Sequence, residues 1–195
     1  MTNFYTADWH LFHEGIIRMC HRPFASVEAM NDAIISAARA RVTAKDDLWI
    51  LGDLAFAKGE EARDAVRALL LQVPGRKHFV AGNHDRGGQQ VMSWIRDLPW
   101  HSMHDQVEIK DEGRRVVLNH YPLITWPGAR HGAIQMFGHV HDNWAGHRNS
   151  VNVGVDLWDF RPVTLAEVAE RGATLPVLPA FLECEPGLEG EGHWA

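Results

Sequence analysis

Cysteine is almost missing from this 195-residue chain: Cys20 and Cys184 stand alone and far apart. Two isolated thiols make neither a disulfide framework nor a thiolate metal site. They read as reduced cysteines of a cytoplasmic protein. No apolar run approaches the roughly 20 residues that a membrane-spanning helix needs. The first apolar segment starts almost at Met1, which leaves no room for a basic and then apolar leader, so no removable signal is expected. Positive charge is also short. Lys and Arg number 19 against 25 Asp and Glu, a net charge of −6, and no stretch forms a basic stripe. Strong nonspecific binding to long nucleic acid needs a basic face, so nucleic acid is not the favoured partner, and neither is a membrane. No internal repeat is visible.

What is present suits a single soluble domain with a sizeable core: 46% hydrophobic and 23% charged residues. Thirteen histidines and eight tryptophans are the unusual part of the composition. Histidine is the commonest metal ligand among side chains.

Apolar segments over residues 3–7, 47–51 and 77–81 predict strands, and each ends at a polar residue: Asp8, Asp53 and Asn83. Val27, Met30, Ile34, Ile35 and Ala38 recur at helical spacing and predict a helix over 26–42 with Ser26 as its N-cap. Ala65, Val66, Leu69 and Leu70 predict a second helix over 60–71, stopped near Pro74-Gly75. Apolar strand, polar strand end, loop and helix repeat in turn. This is an α/β layout in which sites gather at the carboxyl ends of strands. Further on, residues 106–110 and 115–119 alternate about Asp111-Glu112-Gly113, which predicts a hairpin. Residues 133–137, 150–155 and 162–165 read as additional strands. Two sheets are expected, the first flanked by the early helices. Composition shifts to Pro, Gly and Glu after Gly172, so the expectation is a domain over 1–171 and a tail over 172–195 that packs loosely or not at all.

Five short blocks run in order along the chain: Asp8-Trp9-His10, Gly52-Asp53, Gly82-Asn83-His84-Asp85, His120, and Gly138-His139-Val140-His141. Five of the thirteen histidines fall inside them, which argues against incidental surface usage. Asp8 and His10 are two apart, and on an extended segment their side chains point the same way, as do those of His139 and His141. Asp53 follows a glycine that permits a tight turn, and one carboxylate there can bridge two cations. Asn83 offers an amide oxygen and His120 a ring nitrogen. Nitrogen and oxygen donors without thiolate suit Mn²⁺ first, then Fe, Zn²⁺, Co²⁺ or Ni²⁺, rather than an all-oxygen Mg²⁺ or Ca²⁺ site. Two such cations about 3.5–4 Å apart clamp a phosphoryl group. Taken singly, an Asp-x-His or a Gly-Asp is usually a turn. The ordered set, each member at the end of a predicted strand, is a different matter.

The set resembles the calcineurin-like metallophosphoesterases, a superfamily of dinuclear-metal phosphatases, phosphodiesterases and nucleases. The resemblance runs from Asp8 to His141, with the sheet continuing to about residue 165. Three further segments resemble a small bacterial and phage branch: Gly15-Ile16-Ile17-Arg18 with Arg22-Pro23-Phe24, His120-Tyr121-Pro122-Leu123, and Asn152-Val153-Gly154-Val155-Asp156. The resemblance implies a four-layer α/β/β/α sandwich of two mixed sheets. It implies that Asp8, His10, Asp53 and His141 hold one metal, and that Asp53 bridges to a second held by Asn83, His120 and His139. His84 would not be a ligand but would protonate the leaving group, while hydroxide activated by the two cations attacks phosphorus in line. The protein phosphatases of the superfamily carry an aspartate three residues after the bridging one. Position 56 here is phenylalanine, which leaves the orienting partner of His84 open and argues against a phosphoprotein substrate.

Substrate groups are expected from the rim: Arg86 directly after the Asn-His-Asp block, Arg18 and Arg22 after the first block, and His13 between them. Guanidinium donors form a planar fork that matches phosphate oxygens. Asp85 is expected to cap its loop and Trp9 to pack inward. Taken together, these readings point to a metal-dependent phosphodiesterase acting on a small phosphate-ester or nucleotide-like substrate. A nuclease on single-stranded ends and a phosphomonoesterase are the alternatives. A non-catalytic scaffold is disfavoured because no predicted ligand is missing. Oligomeric state leaves no mark on the sequence.

Overall fold

The computed structural model describes residues 1–185. In chain order, β1 (Asn3–Thr6) leads to α1 (Glu14–Met19) and α2 (Val27–Arg41), then β2 (Asp47–Leu51), α3 (Glu60–Gln72) and β3 (Arg76–Val80). A small hairpin of β4 (Arg86–Gly87) and β5 (Gln90–Val91) precedes α4 (Ser93–Arg96) and β6 (Ser102–His104). The second half holds β7 (Gln106–Asp111), β8 (Arg114–Asn119), β9 (Ile134–Phe137), β10 (Gly146–His147), β11 (Ser150–Asn152) and β12 (Val163–Thr164), then α5 (Leu165–Thr174) and α6 (Pro179–Cys184).

Two five-stranded sheets result, ordered β12-β1-β2-β3-β6 and β10-β11-β9-β8-β7. In the first, β1, β2, β3 and β6 are parallel, and β12 closes the edge antiparallel to β1. In the second, β8, β9 and β11 are parallel, with β7 and β10 antiparallel at the two edges. Alternation along the strands makes the layers. Phe4, Leu48, Ile50 and Phe79 face outward onto Met30, Ile34, Val66 and Leu70 of the helices. Tyr5, Trp49, Leu51 and Val80 face inward and meet Val116, Leu118, Ile134 and Met136 of the second sheet. Val117 points out on the far side, under Trp126 and Phe181. This is the expected sandwich of two mixed sheets flanked by helices. Its fourth layer is thin and rests mainly on α6. No helix among the described residues is long and apolar enough to cross a membrane.

Local chemistry accounts for the elements that periodicity predicts. Ser26 Oγ accepts the Ala29 N–H at 3.2 Å and caps α2, which ends one residue short of the expected Val42. The hairpin turns through Glu112 and Gly113, at φ 46° and 85°. Two consecutive positive φ values make the two-residue turn whose twist matches the strands. Thr164 and Glu167 form a capping box at the start of α5.

The expected loose tail differs from what is observed. Helix α5 runs through the boundary at residue 172, and Phe181 of α6 is fully buried against Trp126. Among the described residues, the prolines mark the short connection from α5 to α6 and the first turn of α6. Residues 186–195 lie outside the described part. Among the tryptophans, Trp9 is buried as expected, and Trp126 and Trp158 are buried too.

If residues 175–185 belong to the folded unit, Phe181→Ala should lower unfolding stability by about 3–5 kcal/mol, the usual cost of emptying a buried phenylalanine site. Urea unfolding monitored by circular dichroism measures it, and a loss under about 1 kcal/mol would show that the segment does not contribute.

Candidate metal centre

Every predicted donor lies just past the carboxyl end of a strand. Asp8 and His10 follow β1, Asp53 follows β2, Asn83 follows β3, His120 follows β8, and His139 and His141 follow β9. The two sheets meet at this end. Val155 N donates to the Ala7 carbonyl at 3.1 Å, and His139 N donates to Asp8 Oδ2 at 2.9 Å. The loop after β1 also runs bonded to the loop after β2, through Asp8 N to Gly52 O at 3.1 Å and His10 N to Asp53 O at 2.9 Å.

The backbone here is not extended, which corrects the expectation for the paired ligands. Asp8, His10, Asp53, His139 and His141 all have positive φ, between 50° and 71°. Side chains two residues apart converge because the backbone turns left-handed at both, not because a strand alternates. Such conformations cost about 1–3 kcal/mol each and persist where surrounding structure over-determines them. The sites are also tightly cradled. A Cβ on Gly52 would stand 2.5 Å from His120 Nδ1, and one on Gly82 would collide with Asp53 Oδ1.

Two donor clusters form, Asp8–His10–Asp53 and Asp53–His120–His139, and Asp53 belongs to both. Asp53 Oδ2 lies 3.5 Å from His10 Nε2, and Oδ1 lies 3.6 Å from His120 Nε2. Asn83 Oδ1 completes the second group, 3.0 Å from His120 Nε2 and 2.9 Å from His139 Nδ1. The His141 ring lies 5.0 Å from that of His10, centroid to centroid. All seven predicted ligands are therefore brought together.

The second layer fixes which nitrogen faces inward. His120 Nδ1 donates to the Leu51 carbonyl at 2.8 Å, so Nε2 carries the lone pair. That lone pair faces the Asn83 amide oxygen and the Asp53 carboxylate, an arrangement that a cation among them would relieve. His141 Nδ1 is 2.9 Å from Asp156 Oδ2, which leaves Nε2 for the site. A carboxylate or carbonyl behind each imidazole is what a metal-ligating histidine needs for a fixed ring and tautomer.

Electrostatics points the same way. Burial pushes Asp8 up to about 8, against the pull of His141. Burial likewise raises Asp53 and holds His10 well below the usual histidine range. Burial alone would lower His141, but Asp156, Cys20 and Asp8 hold it up at about 10. His10 Nε2 is buried with no hydrogen-bond partner among the described residues. Buried carboxylates, a lone buried imidazole nitrogen and converging lone pairs fit divalent cations.

The residues around the donors sort into three kinds. Asp85 is a loop clamp, as expected. Fully buried, it accepts the N–H groups of Asp53 and Gly82 at 2.7 Å on Oδ2 and that of Leu54 at 3.0 Å on Oδ1. His84 donates its backbone N–H to Asp53 Oδ1 at 2.9 Å, while its ring is exposed, 5.4 Å from that of His10. No described residue hydrogen-bonds that ring. His13 lies at the site, its Nδ1 3.4 Å from His10 Nδ1 and its ring against Phe56 at 4.8 Å.

Two of the predicted substrate arginines are placed differently. Arg22 is buried at 4% exposure and cannot meet a phosphate on the rim. It donates to both Asp156 oxygens, at 2.7 and 3.0 Å, and to the carbonyls of Asp8 and Trp9 at 2.8 and 3.0 Å. Arg18 is exposed on α1 and lines a separate cleft with Glu14 and Ile17, one that includes none of the predicted ligands. Arg86 borders the site beside His84, with its guanidinium 2.5 Å from Asp105.

Sequence reasoning missed Asp156 and Cys20, which with His141 form a third donor group. Neither has a diagnostic spacing. Asp156 acts through space on His141 and on Arg22, 134 residues earlier in the chain.

No family model matches the chain. It is 30% identical to the uncharacterised protein MJ1445 of Methanocaldococcus jannaschii over 176 residues, 85% of this chain and 90% of that protein. The chain belongs to the family of this archaeal protein. The Gene 66 protein of Mycobacterium phage L5 is 27% identical and aligns over 79% of this chain and 86% of its own. The crystal structure of AQ665 from Aquifex aeolicus, a protein of unknown function, shares the fold. Its TM-score is 0.69 at 22% identity, over 87% of this chain and 98% of that one. Each alignment covers most of both partners, so the two-sheet unit is shared nearly whole.

Asp156→Asn should leave the Arg22 guanidinium buried without its counter-charge, at a cost of about 3–5 kcal/mol in unfolding stability. The same variant should hold Mn²⁺ about 10–100-fold more weakly, since it frees the His141 ring. Urea unfolding and isothermal titration with Mn²⁺ measure the two effects, and unchanged values in both would remove the assigned role.

Proposed function

We propose that this protein is a metal-dependent phosphoric ester hydrolase of the calcineurin-like metallophosphoesterase superfamily, acting on a small, nucleotide-like phosphodiester. One observation carries the reading: six donors from five loops converge in two groups that share Asp53, with the His141 ring 5.0 Å from that of His10 and an exposed His84 alongside. The first group, Asp8, His10, Asp53 and His141, holds one cation. The second, Asp53, Asn83, His120 and His139, holds the other, with Mn²⁺ the first choice for both. When bound, two such cations polarise water and neutralise the phosphoryl oxygens.

The remaining work falls to the chain. Asp85 keeps the loops after β2 and β3 at a fixed separation, so Asp53 and Asn83 present their oxygens in register. His84 sits beside the cluster, anchored through its backbone to Asp53 and free at its ring. From there it delivers a proton to the departing alkoxide, a role that general acids fill with about 10²–10⁴-fold effect. Phe56 occupies the position of the aspartate that orients the histidine in protein phosphatases. It packs on His13 instead and makes that side of the site apolar. A complete ligand set favours catalysis over a scaffold role. A cytoplasmic setting goes with the two unpaired thiols.

The Mn²⁺-loaded protein is expected to hydrolyse bis-p-nitrophenyl phosphate faster than p-nitrophenyl phosphate, in a screen that includes 2′,3′-cyclic nucleotides and single-stranded DNA. Absence of turnover on all four, with bound Mn²⁺ shown by elemental analysis, would sink the proposal. Asp53→Asn should lose metal from both positions. His84→Ala should keep its metal while kcat falls by about 10²–10⁴-fold; normal kcat on an ester with a poor leaving group would rule out the acid role.

A further inference from the structure

A cleft of about 310 Å³ opens beside His84, between the loops that follow β2 and β3. Phe56, Met92 and Trp94 form its walls, Asn83 and His84 its inner end, and Lys58 and Arg86 its edges. Its volume falls within the range of small-ligand sites, which combine apolar walls with a few polar groups. We infer that this cleft binds the base of a nucleoside on the leaving side of the scissile phosphate. The inference rests on the hydrolase reading above and names the substrate class for that site.

Three observations select this occupant. Phe56 leaves 42% of its surface exposed at the edge of the candidate site. Its ring is braced from the protein side by His13 at 4.8 Å, and the Lys58 ammonium lies 5.2 Å from its centroid. An exposed ring, an adjacent indole and a thioether suit a flat, apolar-faced group, since bases stack on aromatic side chains with little regard to sequence. The two cationic side chains at the cleft are not both free for a second phosphate: Lys58 lies over the Phe56 ring. The Arg86 guanidinium is engaged by Asp105 at 2.5 Å and by the Gln89 carbonyl at 3.1 Å. Finally, Asn83 belongs both to the cleft and to the donor cluster, and His84 lines the cleft beside it, so a group seated there is attached through the ester oxygen nearest His84. That oxygen is the one the acid protonates. The tryptophans that first invite a stacking argument are elsewhere: Trp9, Trp126 and Trp158 are buried, and Trp144 packs on Phe137 and His147.

The test compares thymidylyl-(3′,5′)-thymidine with its analogue whose leaving-side sugar is abasic. The two leaving alkoxides are chemically alike and differ only in the base. With Mn²⁺ bound, kcat/KM should favour the complete dinucleotide by about tenfold, the scale of one base stacked on an aromatic. Phe56→Ala should erase that preference. Equal kcat/KM for the two substrates in the unaltered enzyme overturns the inference and leaves the hydrolase reading standing. If neither is cleaved, the four-substrate screen decides the hydrolase reading, and binding decides the cleft. Thymidine, which has no phosphate to offer a metal, is titrated into the Mn²⁺-loaded protein while tryptophan fluorescence is followed. Saturable quenching that is lost in Trp94→Phe and weakened at least about fivefold in Phe56→Ala supports the cleft as a base site. No quenching, or equal affinity in both proteins, overturns it.

Discussion

Asp85 is a carboxylate with no access to solvent, and three backbone N–H groups from two different loops end on its oxygens. The spacing of Asp53 and Asn83 in the candidate metal centre depends on this clamp. It keeps Gly82 against Asp53 closely enough that no side chain fits between them. That closeness lets one carboxylate belong to both donor groups. Burial raises the pKa of Asp85, and the neighbouring Asp53 raises it further, so the backbone amides must offset most of the cost of an ionised form there. Arg22 does the matching job on the other side of the site. It joins the carbonyls at the end of β1 to Asp156 beyond β11 and thereby joins the two sheets. Two buried charged side chains, one of each sign, thus set the spacing of the loops that carry the ligands.

This framework explains why the site combines rigidity with an open approach. The ligands are held by backbone, by Asp85 and by the Arg22–Asp156 pair, none of which needs the rim. His84 and Phe56 are therefore left exposed at the edge of the donor cluster. The donor cluster and this exposed edge are held by different contacts, although His84 directly follows Asn83 in the chain.

The parts of this design that were legible in the sequence are those encoded locally. Asp8, Asp53 and Asn83 each end an apolar strand, and the helix over Val27–Arg41 carries both its periodicity and its cap in one stretch. Asp85 was readable as a loop residue because its partners lie within its own block and the adjoining one. Arg22 was not. Its surface-like sequence context gives no hint that Asp156, far along the chain, draws it inside. The short elements α1 and β6 escaped for a related reason. Six and three residues cannot show a period, and they are shaped by what they pack against. Phe181 lies in a Pro-rich stretch whose composition resembles a tail, yet one buried ring is enough to tie that stretch to the sheet.

The left-handed backbone at Asp8, His10, Asp53, His139 and His141 has an implication for how such a protein can change. These positions favour glycine on conformational grounds, yet each holds a predicted ligand. Mutation and drift at them therefore act on two properties in opposite directions. A lineage that lost its substrate would find relief of strain and removal of buried charge available at the same sites, and its fold would become more robust as its chemistry disappeared. Five of the eleven non-glycine residues with positive φ among the described residues are these predicted ligands, so backbone strain is concentrated at the candidate site.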